Sequence, residues 1–117
     1  MSILLGLIPF HRVSTADTNL TVVKSTGGQL GNSIVISNSN ASSFRYLKLF
    51  NKGTNPTLGT DVPVWTVAVP PNAAGPVPLP HGLGFNAGIA FAITANPADN
   101  DNTAIGANEV IVDLAYQ

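Results

Sequence analysis

No stretch of ten residues in this chain repeats its apolar side chains every 3.6 positions, and nothing else in the sequence narrows the choice of fold so far. An amphipathic helix needs such a stripe to find a core. The chain offers instead short runs in which large apolar side chains alternate with small or polar ones, separated by clusters of Gly, Pro and Asn. Residues 19–24, 30–37, 44–50, 62–69, 88–94 and 109–116 read as strands on this basis. Residues 77–80 add at most a short edge piece, and residues 1–10 a possible first strand. The intervening 38–43, 53–59 and 96–108 are polar loops. Residues 70–76 read as a connection, because proline cannot donate to a ladder, and 81–86 as a turn leading into a bulge-prone segment. The expected fold is all-β: an antiparallel β-sandwich or jelly-roll-like domain of seven to eight short strands.

The run Phe44-Arg45-Tyr46-Leu47-Lys48-Leu49-Phe50 is the centre of this pattern. Successive strand residues point to opposite faces, which places Leu47 and Leu49 in one row and Phe44, Tyr46, Lys48 and Phe50 in the other. Both rows are substantially apolar, so both need cover. The uniformly apolar row Val110, Val112, Leu114 and Tyr116 of the last strand is the natural inward partner of Leu47 and Leu49. The Phe44, Tyr46, Lys48 and Phe50 row is then expected to be covered by another chain. If the two strands are neighbours, Lys48 and Asp113 share an outer face and can pair. Trp65 lies in one row with Val67 and Val69 and is expected in the core. Ile89, Phe91 and Ile93 form a large row backed by small residues that allow another layer to approach.

Charge bears on the surface. Only 9% of the 117 residues are charged and the net charge is -1, against roughly 25% charged in ordinary soluble domains. A neutral surface of Asn, Thr, Ser, Gly and Ala guards poorly against association. A homo-oligomer is therefore expected, a trimer favoured, with a monomer of neutral surface as the alternative. The charges are also sorted along the chain. Lys24, Arg45, Lys48 and Lys52 precede Asp61 without an acid among them; Asp61, Asp99, Asp101, Glu109 and Asp113 follow without a Lys or Arg. The two halves must meet, within one subunit or across an interface.

The apolar residues 1–10 lack a basic start and are interrupted by Pro9. The run is too short to span a bilayer, which takes roughly 20 apolar residues, and it lacks the features of a signal peptide. Residues 1–16 are expected to be an N-terminal arm that docks on a neighbour through Ile3, Leu4, Leu5 and Phe10, or else a first strand; residues 17–117 form a single β-sandwich domain.

Little in the sequence points to chemistry. The two histidines, His11 and His81, stand in no nucleophile motif. The alternating Asp99-Asn100-Asp101 resembles the start of a calcium loop, but Ala104 occupies the position where such a loop needs glycine. Asp99 and Asp101 are thus weak calcium candidates beside an ordinary Asx-rich turn. With no cysteine there are no thiolate ligands or disulfides. Basic residues are too sparse for a nucleic-acid groove. No enzymatic activity, cofactor, nucleic acid or membrane partner is expected.

Four strings, Arg45 to Lys52 (RYLKLFNK), Gly59-Thr60-Asp61-x-Pro63-Val64, Gly88 to Thr94 (GIAFAIT) and Val110 to Leu114 (VIVDL), resemble small β-rich structural proteins of tailed bacteriophages. The resemblance covers roughly residues 28–116 and rests on scaffold motifs. It implies location in the virion and kinship in kind with cement or decoration proteins that bind the major capsid protein on assembled heads, or with small tail, neck or fibre components, for which a glycan-binding role is the alternative.

Overall fold

The computed structural model describes residues 6–117 and shows ten strands in two antiparallel sheets. They are β1 (Ile8–Val13), β2 (Thr21–Lys24), β3 (Gly28–Leu30), β4 (Ser33–Asn38), β5 (Arg45–Asn51), β6 (Trp65–Val69), β7 (Ala73–Pro78), β8 (Leu83–Phe85), β9 (Ile89–Thr94) and β10 (Val110–Tyr116). β3 and β4 both pair with the same side of β10, interrupted at Gly31 and Asn32, and β8 and β7 flank them in the same way. Each of these pairs of strands is one interrupted lane. The first sheet then runs β1, β10, β3/β4, β7/β8, and the second β2, β9, β5, β6.

The pairing has a simple logic. The chain doubles back over residues 52–64, and its two halves pair from the outside inward: β1 with β10, β2 with β9, β3/β4 with β8/β7, and β5 with β6. Successive lanes alternate between the sheets, except at the central β5–β6 hairpin. A long hairpin rolled up in this way is a jelly roll. It also explains the sorted charges, because the basic half of the chain is paired along its length with the acidic half.

Two interrupted lanes account for ten strands where seven to eight are expected. β7 and β8 lie where the sequence predicts mainly connection. Their lane is the margin of its sheet, where Pro76 and Pro78 need not donate to a neighbour on the open side.

The core fills the space between the sheets. Leu47 and Leu49 of β5 face it beside Ile89, Phe91 and Ile93 of β9, and the first sheet returns Val110, Val112 and Leu114. Leu47 and Leu49 therefore pack inward with Val112 and Leu114, as their rows predict, but from the opposite sheet.

At one margin, residues 14–19 carry the chain between sheets. Buried Ser14 donates from Oγ to Gly106 O and accepts from the Glu109 and Val110 N–H groups. Asn19, left-handed at φ 53°, accepts the Thr15 N–H at 2.8 Å and donates to the Thr15 and Asp17 carbonyls. Asn19 is satisfied within its own turn and Ser14 by the segment that leads into β10, and these bonds hold the crossing in place.

Candidate interaction surfaces

The two sheets expose different outer faces. On the second, Tyr46, Lys48 and Phe50 of β5 face away from the core beside Ala90, Ala92 and Thr94 of β9. The expectation that another chain covers this row is corrected for Lys48 and Phe50. Lys48 is 0% exposed and Phe50 2%. Leu58, from the fold-over loop, closes on Phe50, Ala90 and Ala92, and the small alanines give it room. Lys48 and Phe50 are thus covered by their own chain, which removes one of the grounds for a trimer. Phe44 and Tyr46 remain at the surface, with ring centroids 6.3 Å apart in a stacked arrangement.

The Lys48 stem is buried under the loop of residues 95–104, and its Nζ donates to Ala98 O. Burial holds the ammonium below the usual lysine range, while the Asp101 and Asp99 carboxylates act in the opposite sense. Asp101 is itself occupied. It accepts from Asn96 N–H and Nδ2 and from Thr103 N–H and Oγ1, at 2.8–3.2 Å. Burial would raise its pKa, but these donors together hold it below the ordinary carboxylate value. Among the described residues, no group of three or more His, Cys, Asp or Glu side chains is placed to hold a metal ion. The Asp-Asn-Asp alternation builds an Asx-type turn beside a buried ammonium.

The remaining charges meet across the two halves of the chain. Lys48 and Asp113 do not pair, because β5 and β10 belong to different sheets. Asp113 instead accepts from His11 on the neighbouring β1. Arg45 Nε donates to Glu109 Oε1, joining β5 to the residue that precedes β10, with both side chains 13% exposed. Lys52 Nζ donates to Asp61 Oδ2 at 2.6 Å across the base of the fold-over loop. With the Thr57 N–H, this bond keeps the Asp61 pKa below its ordinary value.

Among the described residues, the outer face of the first sheet is left open. Register places Val13, Ile111, Ser37 and Ala74 in one transverse row and His11, Asp113, Val35 and Pro76 in the next. Val13 and Val35 are 37% and 46% exposed. The face is mostly apolar, and in these two rows carries one hydrogen-bonded polar pair, His11 with Asp113.

Phe10, expected at an interface, points inward from β1 and meets Phe91 edge-to-face, centroids 5.9 Å apart. The strand around it pairs along the length of β10 from Ile8↔Tyr116 to Val13↔Ile111, so these residues are a sheet strand and not a free arm. Ile3, Leu4 and Leu5 lie outside the described residues. Trp65 is also corrected: it shares the inward row of β6 but is 45% exposed, beside Val62 at 69% and Val64 at 52%. Its place as the first residue of a marginal strand, just after Pro63, was the available signal. Neither histidine has a serine or threonine hydroxyl among its hydrogen-bond partners.

No family model, curated protein or solved structure matches the chain, so its surfaces stand on their own geometry.

Proposed function

We propose that the chain is a non-enzymatic structural protein of a tailed-phage virion, a capsid cement or decoration protein that self-associates and braces the assembled head against the major capsid protein. The observation that carries this reading is the outer face of the first sheet. Val13, Val35 and Pro76 lie exposed on it and Ile111 half-buried, with no covering loop among the described residues, and an apolar face of this kind is stabilised by contact with another protein surface. A cement protein works by burying such area across subunit boundaries. Counting copies per particle tests the reading: copies in a fixed ratio to the capsid lattice are expected, and a protein missing from purified virions refutes it.

The second reading, a tail, neck or fibre component with a glycan-binding role, draws on exposed Trp65, since an indole face stacks on sugar rings. It requires few copies per particle, located at the tail, and quenching of tryptophan emission by an oligosaccharide.

A further inference from the structure

The marginal lanes of the sandwich do not present equal edges. β1 carries Pro9 and Arg12, the β7/β8 lane carries Pro76 and Pro78, and β2 carries Lys24 beside a register shift. Proline, charge and bulges are what stop an edge from templating another strand. β6, Trp-Thr-Val-Ala-Val, has none of them and, among the described residues, pairs on one side only, with β5.

Which of its backbone groups are free follows from the register. The Lys52 N–H donates to Gly88 O at 3.1 Å. Going back along β5, even-numbered residues therefore turn their backbone groups to β9 and odd-numbered ones to β6. Arg45, Leu47 and Leu49 oppose Val69, Val67 and Trp65. The N–H and C=O groups of Thr66 and Ala68 consequently point out of the open edge, and both residues are exposed.

The two ends of this edge match each other. At one end stands Trp65, in the row of Val67 and Val69 yet half exposed. At the other end, beside Val69, opens a groove of about 190 Å³ lined by Ile36, Val69, Pro70, Gly75, Pro76 and Val77.

We propose that β6 is the contact through which a second copy of this chain binds, antiparallel about a two-fold axis at Val67, each Trp65 seated in the other copy's groove beside Val69. In that register Thr66 faces Ala68 of the second copy and exchanges both N–H···O=C bonds with it. Val67 faces its own equivalent, and Trp65 faces Val69. No charge meets itself. The large side chain at one end and the groove at the other are what a two-fold requires, and the two β6 sheets become one continuous sheet. The occupant is a second copy because an antiparallel twin places its own Trp65 indole at the groove at each end of the contact. This deepens the proposed role, resting on it only in taking self-association as part of that role.

Sedimentation equilibrium of the full chain across a dilution series is the test. Twice the 12.1 kDa subunit mass is expected at the concentrated end, falling to one subunit on dilution. Because the chain has a single tryptophan, its emission should shift to the red as the pair dissociates. Thr66→Lys with Ala68→Lys sets like charges directly opposite one another in the pair at positions exposed in the single subunit. That variant should be monomeric throughout with an unchanged unfolding transition. Trp65→Ala should weaken the pair about tenfold or more. A wild-type mass of one subunit at the concentrated end, a mass of three, a dimer that survives the lysine pair, or a dimer whose tryptophan emits as an exposed indole would each overturn the inference. A monomer present at lattice stoichiometry in virions overturns this inference and the self-association in the proposed role but leaves the capsid location standing; a β6 dimer absent from virions overturns the virion role alone.

Discussion

Replacing Lys48 with methionine should flatten the alkaline limb of the stability curve. Lys48 is 0% exposed, its Nζ has Ala98 O as acceptor, and Asp99 and Asp101 do not form ion pairs with it. Burial therefore lowers its pKa from 10.5. The sign follows from proton counting. Below the lowered folded-state value, both folded and unfolded chains hold the proton and the group adds no slope. Between that value and 10.5 the unfolded chain still holds a proton that the folded chain has released, so stability rises with pH. The slope is bounded by about 1.4 kcal/mol per pH unit. At neutral pH, methionine keeps most of the buried stem, loses a charge-assisted hydrogen bond of about 1.5–3 kcal/mol, and no longer dehydrates an ion, a term of comparable size. The two nearly cancel, leaving a net change within about 1–2 kcal/mol of either sign. Lys48→Ala also removes the stem and should cost about 2–4 kcal/mol through the void it leaves. Urea unfolding of the wild type and both variants, from neutral pH to beyond pH 10.5, measures all of this. Parallel pH curves for wild type and Lys48→Met would refute the buried ammonium. A slope that changes with protein concentration would return this face to another subunit.

Phe10→Ala should cost about 2–3 kcal/mol, because the ring meets Phe91 edge-to-face; a chain truncated to begin at Ser14 should lose its cooperative transition in circular dichroism. Arg45→Ala leaves Glu109 largely buried without its partner and should cost about 3 kcal/mol in chemical denaturation, a larger loss than from the exposed His11→Ala. Asp61, with its pKa depressed by Lys52 and Thr57, contributes stability that is present above its unfolded value and lost as pH falls through the lower folded one. Lys52→Met should therefore make the acid limb of a thermal-melt series shallower. Tyr46→Asp should leave the unfolding midpoint nearly unchanged, whereas Leu47→Asp, which puts a carboxylate at a site with 0% exposure, should abolish folding.

Much of the architecture was legible because alternation is a local signal. The β9 row Ile89, Phe91 and Ile93 and the β10 row Val110, Val112 and Leu114 could be assigned to the core from spacing alone. What covers the far side of β5 could not, because Phe50 is closed over by Leu58 from the following loop and Lys48 is held by the carbonyl of Ala98, which lies far along the chain. A buried lysine looks like a surface lysine until its loop is placed. The prolines of β7 misled for a related reason: proline forbids an interior strand and permits a marginal one, and only the sheet order separates the two cases. Sorted charge was the strongest long-range clue. It required the halves to meet, and Arg45 with Glu109 and Lys52 with Asp61 meet within one subunit. Lys48 with Asp113 was the wrong pair because residues matched for sign can lie on opposite sheets.

The open face and the open edge of this jelly roll lie on different sheets, which makes them separable by mutation. If a second copy takes the β6 edge, Val35, on the outer face of the first sheet, stays uncovered in the pair. Val35 is 46% exposed and lies beside Asp113 on β10 and Pro76 on β7. Val35→Asp therefore adds a carboxylate to solvent and removes no core contact, so the subunit should still fold cooperatively, at a cost of about 1–2 kcal/mol from lost strand propensity and from the like charge opposite it. It also places like charge beside Asp113, so docking of this face on a protein surface would have to bury two neighbouring carboxylates. The expected result is an unchanged sedimentation mass and loss of the protein from assembled particles. Loss of self-association with particle binding retained would mean that the two surfaces have been assigned the wrong way round: the open face would hold the second copy, and the β6 edge would face the shell.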